Sequence, residues 1–163
     1  MRPTCLVVRE GSKDAEIFMI GGHRDRFNHV YSVRYDSWSY LPKLPEGHNL
    51  APNVCVNYQD KAIFTFMTDA RLNIKVAAMD LQSAERFPMP YDKVMKWALV
   101  LPHYFHKIDR FHLKSAITLA DGRVAVYARG RPEGIKEQIM TLVLFFRVYS
   151  NDEGWSLDFD DYE

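Results

Sequence analysis

Ile17-Phe-Met-Ile-Gly-Gly22, followed by Val30-Tyr31, Tyr35-Asp36, Trp38 and Leu41-Pro42, is the stretch on which the fold turns. A short apolar run ends on two glycines, a polar segment leads to a Tyr-bearing strand, and Asp36 closes that strand where an Asx-type turn redirects the chain. The diglycine suits a strand end where a side chain would collide with a neighbouring sheet. Upstream, Pro3-Thr-Cys-Leu-Val-Val8 offers a partner strand across a polar loop, and Trp38-Ser-Tyr-Leu-Pro42 supplies a fourth segment. These residues predict four short strands in about 43 residues.

The same order recurs twice. Pro52-Asn-Val-Cys-Val-Asn-Tyr58 and Ala62-Ile-Phe-Thr-Phe-Met67 flank Gln59-Asp60-Lys61, and Leu113-Lys-Ser-Ala-Ile-Thr-Leu119 and Arg123-Val-Ala-Val-Tyr127 flank Ala120-Asp121-Gly122. Asp121-Gly122 supplies the positive φ of a tight hairpin turn. Third strands are expected at His29–Asp36, Asn73–Asp80 and Met140–Val148, and fourth strands at Trp38–Pro42, Arg86–Pro90 and Trp155–Leu157. Cys5, Cys55 and Ala116 occupy matching positions in this alignment, with a longer first turn in the first repeat. Four strands at a period of about 45 predict one small sheet per repeat, which must bury both faces against neighbours.

Ile17–Pro45 resembles the kelch repeat: hydrophobic strand, diglycine, polar stretch, Tyr-rich strand ending in Asp, then Trp and Leu-Pro. The second and third repeats carry more degenerate versions, with Thr65–Thr68 and Ala128-Arg129-Gly130 near the diglycine position. The resemblance implies an all-β fold of kelch-type β-propeller blades, each a four-stranded antiparallel sheet, at approximately residues 3–45, 52–90 and 113–157 of a single domain 1–163. Three blades do not close a ring, because propellers have about four to eight. A partial propeller is therefore expected, completed by more chain or by another chain, unless 91–112 holds a further strand set. In that insertion, Val94, Trp97, Ala98, Val100 and Leu101 fit either a short helix ending near Pro102 or a strand.

Lys plus Arg and Asp plus Glu are 21 each in the 163 residues, which removes the general electrostatic attraction to nucleic acid or an acidic membrane. Hydrophobic residues make up 47%, enough for a sizeable core. No apolar run approaches the ~18 residues of a membrane span, and Met1–Glu10 has no secretory core. With two cysteines, a reduced chain in the cytoplasm or nucleus is expected, a disulfide remaining the alternative.

No catalytic constellation stands out. His103, His106 and His112 with Asp109 read as an aromatic-rich connection rather than convergent zinc ligands. Asp69, Asp80, Glu85, Asp92 and Asp109 form no spaced acid–base pair, and Cys5 and Cys55 read as core. No metal or cofactor is expected. The loops between second and third strands each carry arginine, and the resemblance implies that such loops face a partner. Arg24, Arg26, Arg71, Arg129 and Arg131 are thus the expected partner-binding residues, suited to carboxylate or phosphate. The expected function is a non-catalytic protein–protein interaction module, a scaffold or adaptor. The alternative is a ligand- or carbohydrate-binding or enzymatic propeller with its site on the central axis. The acidic tail Asp158–Glu163 is expected to fray or to dock on basic side chains, its own included.

Overall fold

Two of the expected hairpins are dictated by their turns. In the computed structural model, Gly122 takes φ 85° and its amide donates to Leu119 O at 3.0 Å, closing the turn between β9 (Ile108–Thr118) and β10 (Val124–Pro132). The turn between β5 (Val54–Tyr58) and β6 (Ala62–Thr68) has no glycine, yet Gln59 and Asp60 both adopt positive φ, at 51° and 57°. That is the backbone of a type I′ turn, in which each non-glycine residue costs about 1–2 kcal/mol. Asn57 offsets the cost: its Oδ1 accepts from the Asp60 amide at 3.0 Å and its Nδ2 donates to Asp60 Oδ1 at 2.7 Å.

The structure describes residues 5–10, 15–21, 28–44, 54–68, 74–82, 97–100, 108–132 and 138–162. Among them lie twelve strands in three four-stranded antiparallel sheets, each in simple chain order. Sheet one is β1 (Cys5–Arg9), β2 (Glu16–Ile20), β3 (Asn28–Ser32) and β4 (Ser37–Leu41). Sheet two adds β7 (Ile74–Asp80) and β8 (Trp97–Leu99) to β5 and β6. Sheet three adds β11 (Met140–Asn151) and β12 (Gly154–Tyr162) to β9 and β10. The protein is all-β as expected. No helix among the described residues is long and apolar enough to cross a membrane.

Several expectations shift. The fourth strand of sheet two is Trp97–Leu99, inside the presumed insertion 91–112, and β9 also begins there, at Ile108. The expected strand at Arg86–Pro90 lies outside the described residues. The third strand of sheet one stops at Ser32, and Val33–Asp36 form a turn in which Asp36 has φ 46°. The acidic tail does not fray through Tyr162: Asp158 pairs with Arg147, Phe159 with Phe146 and Asp161 with Phe145 across the β11–β12 ladder. Leu157 and Phe159 turn inward and hold it there.

The sheets stack in chain order. We call forward the face turned toward the next sheet and back the face turned toward the preceding one. The forward face of sheet one (Val7, Phe18, Ile20, Val30, Leu41) packs on Ile63, Met79 and Leu81 of sheet two, with Cys55 against the same cluster. The forward face of sheet two (Val54, Val56, Tyr58, Phe64, Phe66, Val76, Ala78) packs on Leu113, Val124, Val126, Leu142, Leu144, Phe146 and Leu157 of sheet three. Sheet two is thus buried on both faces, and every residue from Ala62 to Met67 is buried. Contacts between sheets concentrate on the first strands, β1 with β5 and β5 with β9.

One hydrogen bond repeats at both junctions. Asn57 Nδ2 on β5 donates to Val8 O on β1 at 3.0 Å, and Thr118 Oγ1 on β9 donates to Asn57 O at 3.1 Å. These bonds fix the equivalence of the sheets: Val8, Asn57 and Thr118 correspond, as do Val7, Val56 and Ile117, which lie opposite Phe18, Phe64 and Ala125. Leu6, not Cys5, is therefore the counterpart of Cys55; the four-residue difference in turn length hid a one-residue slip, which exchanges the two faces of a strand. The Cys55 thiol lies 3.4 Å from Thr65 Oγ1 and is not in a disulfide.

Candidate interaction surface

Among the described residues, the ends of the stack leave two faces without a following or preceding sheet. On the back of sheet one, two rows of side chains cross all four strands. In ladder register they read Leu6–Met19–His29–Tyr40 and Val8–Ile17–Tyr31–Trp38. The counterparts in sheet two are Cys55–Thr65–Ala77–Leu99 and Asn57–Ile63–Met79–Trp97, and in sheet three Ala116–Val126–Leu144–Tyr162 and Thr118–Val124–Phe146–Phe159. Thr65, Ala77, Ile63, Met79, Val124, Val126, Leu144 and Phe146 are all fully buried. Their counterparts Met19, His29, Ile17 and Tyr31 are only half-buried, and the flanking Leu6, Val8, Trp38 and Tyr40 are 65%, 50%, 56% and 61% exposed. Positions that are fully buried in sheets two and three are thus only half-buried in sheet one.

The aromatic half of this face is ordered. The His29 ring lies 5.1 Å from Tyr40 and 6.4 Å from Trp38, and Tyr31 lies 5.0 Å from Trp38. Met19, His29, Trp38, Ser39 and Tyr40 line a shallow cleft of about 410 Å³. The Tyr31 hydroxyl donates to Asp36 Oδ1, and this bond, with some desolvation and the carboxylate charge, raises the phenol pKa above its usual value. Beside His29 on β3, Asn28 is buried; its Oδ1 accepts from the Gly21 amide at 2.8 Å and its Nδ2 donates to Pro42 O at 2.7 Å. Those two bonds pin the positive-φ Gly21 and the Leu41-Pro42 exit to β3, so the motif's glycine and Leu-Pro serve the same corner.

The forward face of sheet three differs in chemistry. Ile117, Ala125 and Phe145 form one row and Tyr127 and Val143 the next, where sheet two has Val56, Phe64, Ala78 and Phe66, Val76. At one end Arg123 Nε binds Asp121 Oδ2 at 2.7 Å, and Asp160 accepts from Arg147 Nε at 3.0 Å and from Arg123 at 3.4 Å. Arg123 also lies over the Phe145 ring, 5.0 Å from its centre. Hydrogen bonds from the Arg123 backbone and side chain hold the Asp121 pKa below its ordinary value, and the same contact raises that of Arg123.

Of the five arginines expected to meet a partner, Arg24, Arg26 and Arg71 lie outside the described residues. Arg129 and Arg131 are not in a loop. They belong to β10, where Arg129 pairs with Thr141 and His112, and Arg131 with Asp109. Gly130 and Pro132 suggested a turn, but beyond Gly130 the β10 ladder continues on the β9 side, which tolerates a residue lacking one N–H. Both arginines share the odd-numbered forward side of β10 with Tyr127, in line with Arg123 just before the strand, Arg129 exposed and Arg131 half-buried. His112 is exposed, while His103 and His106 lie outside the described residues. Among the described residues, no three His, Cys, Asp or Glu side chains gather as metal ligands.

Sequence reasoning had not singled out the back face of sheet one. A signal was present: Leu6-Val-Val8 and Ile17-Phe-Met-Ile20 are continuous apolar runs, the pattern of strands covered on both faces. In comparison with known proteins, the chain matches no family model and no curated protein.

Proposed function

We propose that this chain is a non-catalytic protein-interaction module made of kelch-type propeller blades, a scaffold or adaptor whose bare sheet faces dock on protein. The observation that carries the reading is the back face of sheet one, where eight apolar or aromatic residues lie in two rows, four of them at positions that are fully buried in sheets two and three. Large contiguous exposed apolar patches mark interaction sites, and Trp and Tyr are the side chains that most often anchor them. Stacked four-stranded sheets joined through their first strands agree with blades of a partial propeller. The kelch assignment rests on Ile17–Pro45. A cytoplasmic or nuclear protein with a protein partner and no cofactor is the corresponding reading.

Hydroxyl-radical footprinting tests it. Trp38 and Tyr40 are expected to be oxidised several-fold more slowly in cells than in the dilute purified protein, while exposed Tyr149 serves as an internal reference. Equal labelling in both settings removes the docking face.

The cleft between Trp38, His29 and Tyr40 favours a second reading, a carbohydrate ligand stacked on exposed rings. A glycan-binding screen separates the two: saturable binding lost in Trp38→Ala selects the sugar.

A further inference from the structure

We infer that a second copy of this chain covers both bare faces, the forward face of sheet three in each copy packing on the back face of sheet one in the other. This rests on the reading of those faces as protein-docking surfaces, and names their occupant.

Continuity with the internal junctions is the first support. Both junctions within the chain join a forward face to a back face in the same sense, with the same first strands in contact and the same side-chain-to-carbonyl bond. The bare forward face belongs to sheet three and the bare back face to sheet one, the two surfaces a third junction of this kind requires. One chain cannot satisfy both, because sheet two stands between them. Two copies can, and the six sheets that result fall within the range in which propellers close. Each contact is heterologous, so closure needs two of them and yields a two-fold ring.

Complementary chemistry is the second. Ile117 and Tyr127, 58% and 44% exposed, lie with Val143 and Phe145 where Val56, Phe66, Val76 and Ala78 pack in sheet two. They would meet Leu6, Val8, Ile17 and Met19. Arg129 and Arg147 are exposed on the same forward face, and exposed Trp38 and Tyr40 supply rings on which guanidinium groups can stack. The new junction differs from the internal ones in one respect. Val8 stands where Asn57 and Thr118 donate, so the hydrogen bond to the preceding carbonyl, here Thr118 O, is not made. The copies should therefore separate more readily than the sheets.

Sedimentation of the purified full chain reads the outcome. The expected wild-type species has twice the 19.0 kDa chain mass and dissociates on dilution. Leu6→Glu and Ile117→Glu, each on an exposed first-strand position, should each raise the dissociation constant about 30-fold or more, with circular dichroism unchanged. Leu6→Ser and Ile117→Ser give the same ranking should either glutamate perturb the fold. An equimolar mixture of the two glutamate variants keeps one intact contact and should recover a species of two chains. A wild type that stays at one chain mass overturns the inference, as do species that grow without limit, an Ile117 variant that still pairs, or a mixture that does not recover. If the wild type is monomeric yet Trp38 is protected in cells, only the second copy is lost; if Trp38 is unprotected in both, the docking reading falls with it.

Discussion

Sheets one and two are built to one register and live in different surroundings. Ile63 and Met79 in sheet two correspond to Ile17 and Tyr31 in sheet one, and the former are buried while the latter are only half-buried beneath exposed Val8 and Trp38. The difference lies in position along the stack, not in strand pairing. A strand's own sequence selects which side chains share a face; a neighbouring sheet decides whether that face becomes core. Apolar residues on both sides of a terminal sheet are thus what the proposed docking reading expects of a surface that a partner covers.

The largest expected effect breaks the comparison at its strongest point. Phe64 is fully buried between sheets two and three, its ring 5.6 Å from Tyr58 and 5.9 Å from Trp155. Phe64→Ala should cost about 3–5 kcal/mol in urea unfolding, the transfer and cavity terms of a large aromatic. Trp38→Ala at the bare face, measured under dilute conditions, should change stability by about 0.5 kcal/mol or less. Similar losses at both positions would mean that the two sheets are not in different surroundings after all.

The next effect concerns the bond that repeats. Asn57 holds both a strained turn and the junction to sheet one, whereas Thr118 makes the equivalent junction bond beside a glycine turn. Asn57→Ala should therefore cost more than Thr118→Val: about 2–3 kcal/mol against about 1 kcal/mol, read from chemical denaturation. Asp60→Gly in the Asn57→Ala background should recover the turn's share and leave the junction's share lost.

How far the fold was legible follows from the same contrast. Turns whose chemistry is local, such as Asp121-Gly122, and strands with period-two alternation, such as Val54–Tyr58, announce themselves. Asp80 also behaved as its type suggests, accepting from the Gln82 amide at 3.1 Å to turn the chain after β7. A three-residue strand like Trp97–Leu99 has no period to detect, and only its partner Ala77–Met79 defines it. The tail misled because its charge was weighed above its alternation: Trp155, Leu157 and Phe159 turn inward while Asp158 and Asp160 turn out. Arg129 and Arg131 were visible as residues but misplaced as a loop. The bare faces were the least legible, because exposure is a property of the assembled stack and not of any one strand.

The smallest effect sharpens the contrast between the forward faces of sheets two and three. Ala62, fully buried, is opposite Asp80 in sheet two; the corresponding pair in sheet three is Arg123 and Arg147, with Asp121 and Asp160 around them. A forward face that carries ion pairs at this place faces water at its rim. Because the folded-state pKa of Asp121 is lowered from 3.8, its contribution is present above that value and is lost as pH falls through the folded-state pKa. Acid unfolding of the wild type should therefore show a slightly steeper loss of stability below pH 3.8 than Asp121→Asn. The two proteins should converge in high salt, since an exposed pair of this kind is screened. A salt-insensitive difference would place Arg123 in a buried junction, and the forward faces of sheets two and three would then be alike.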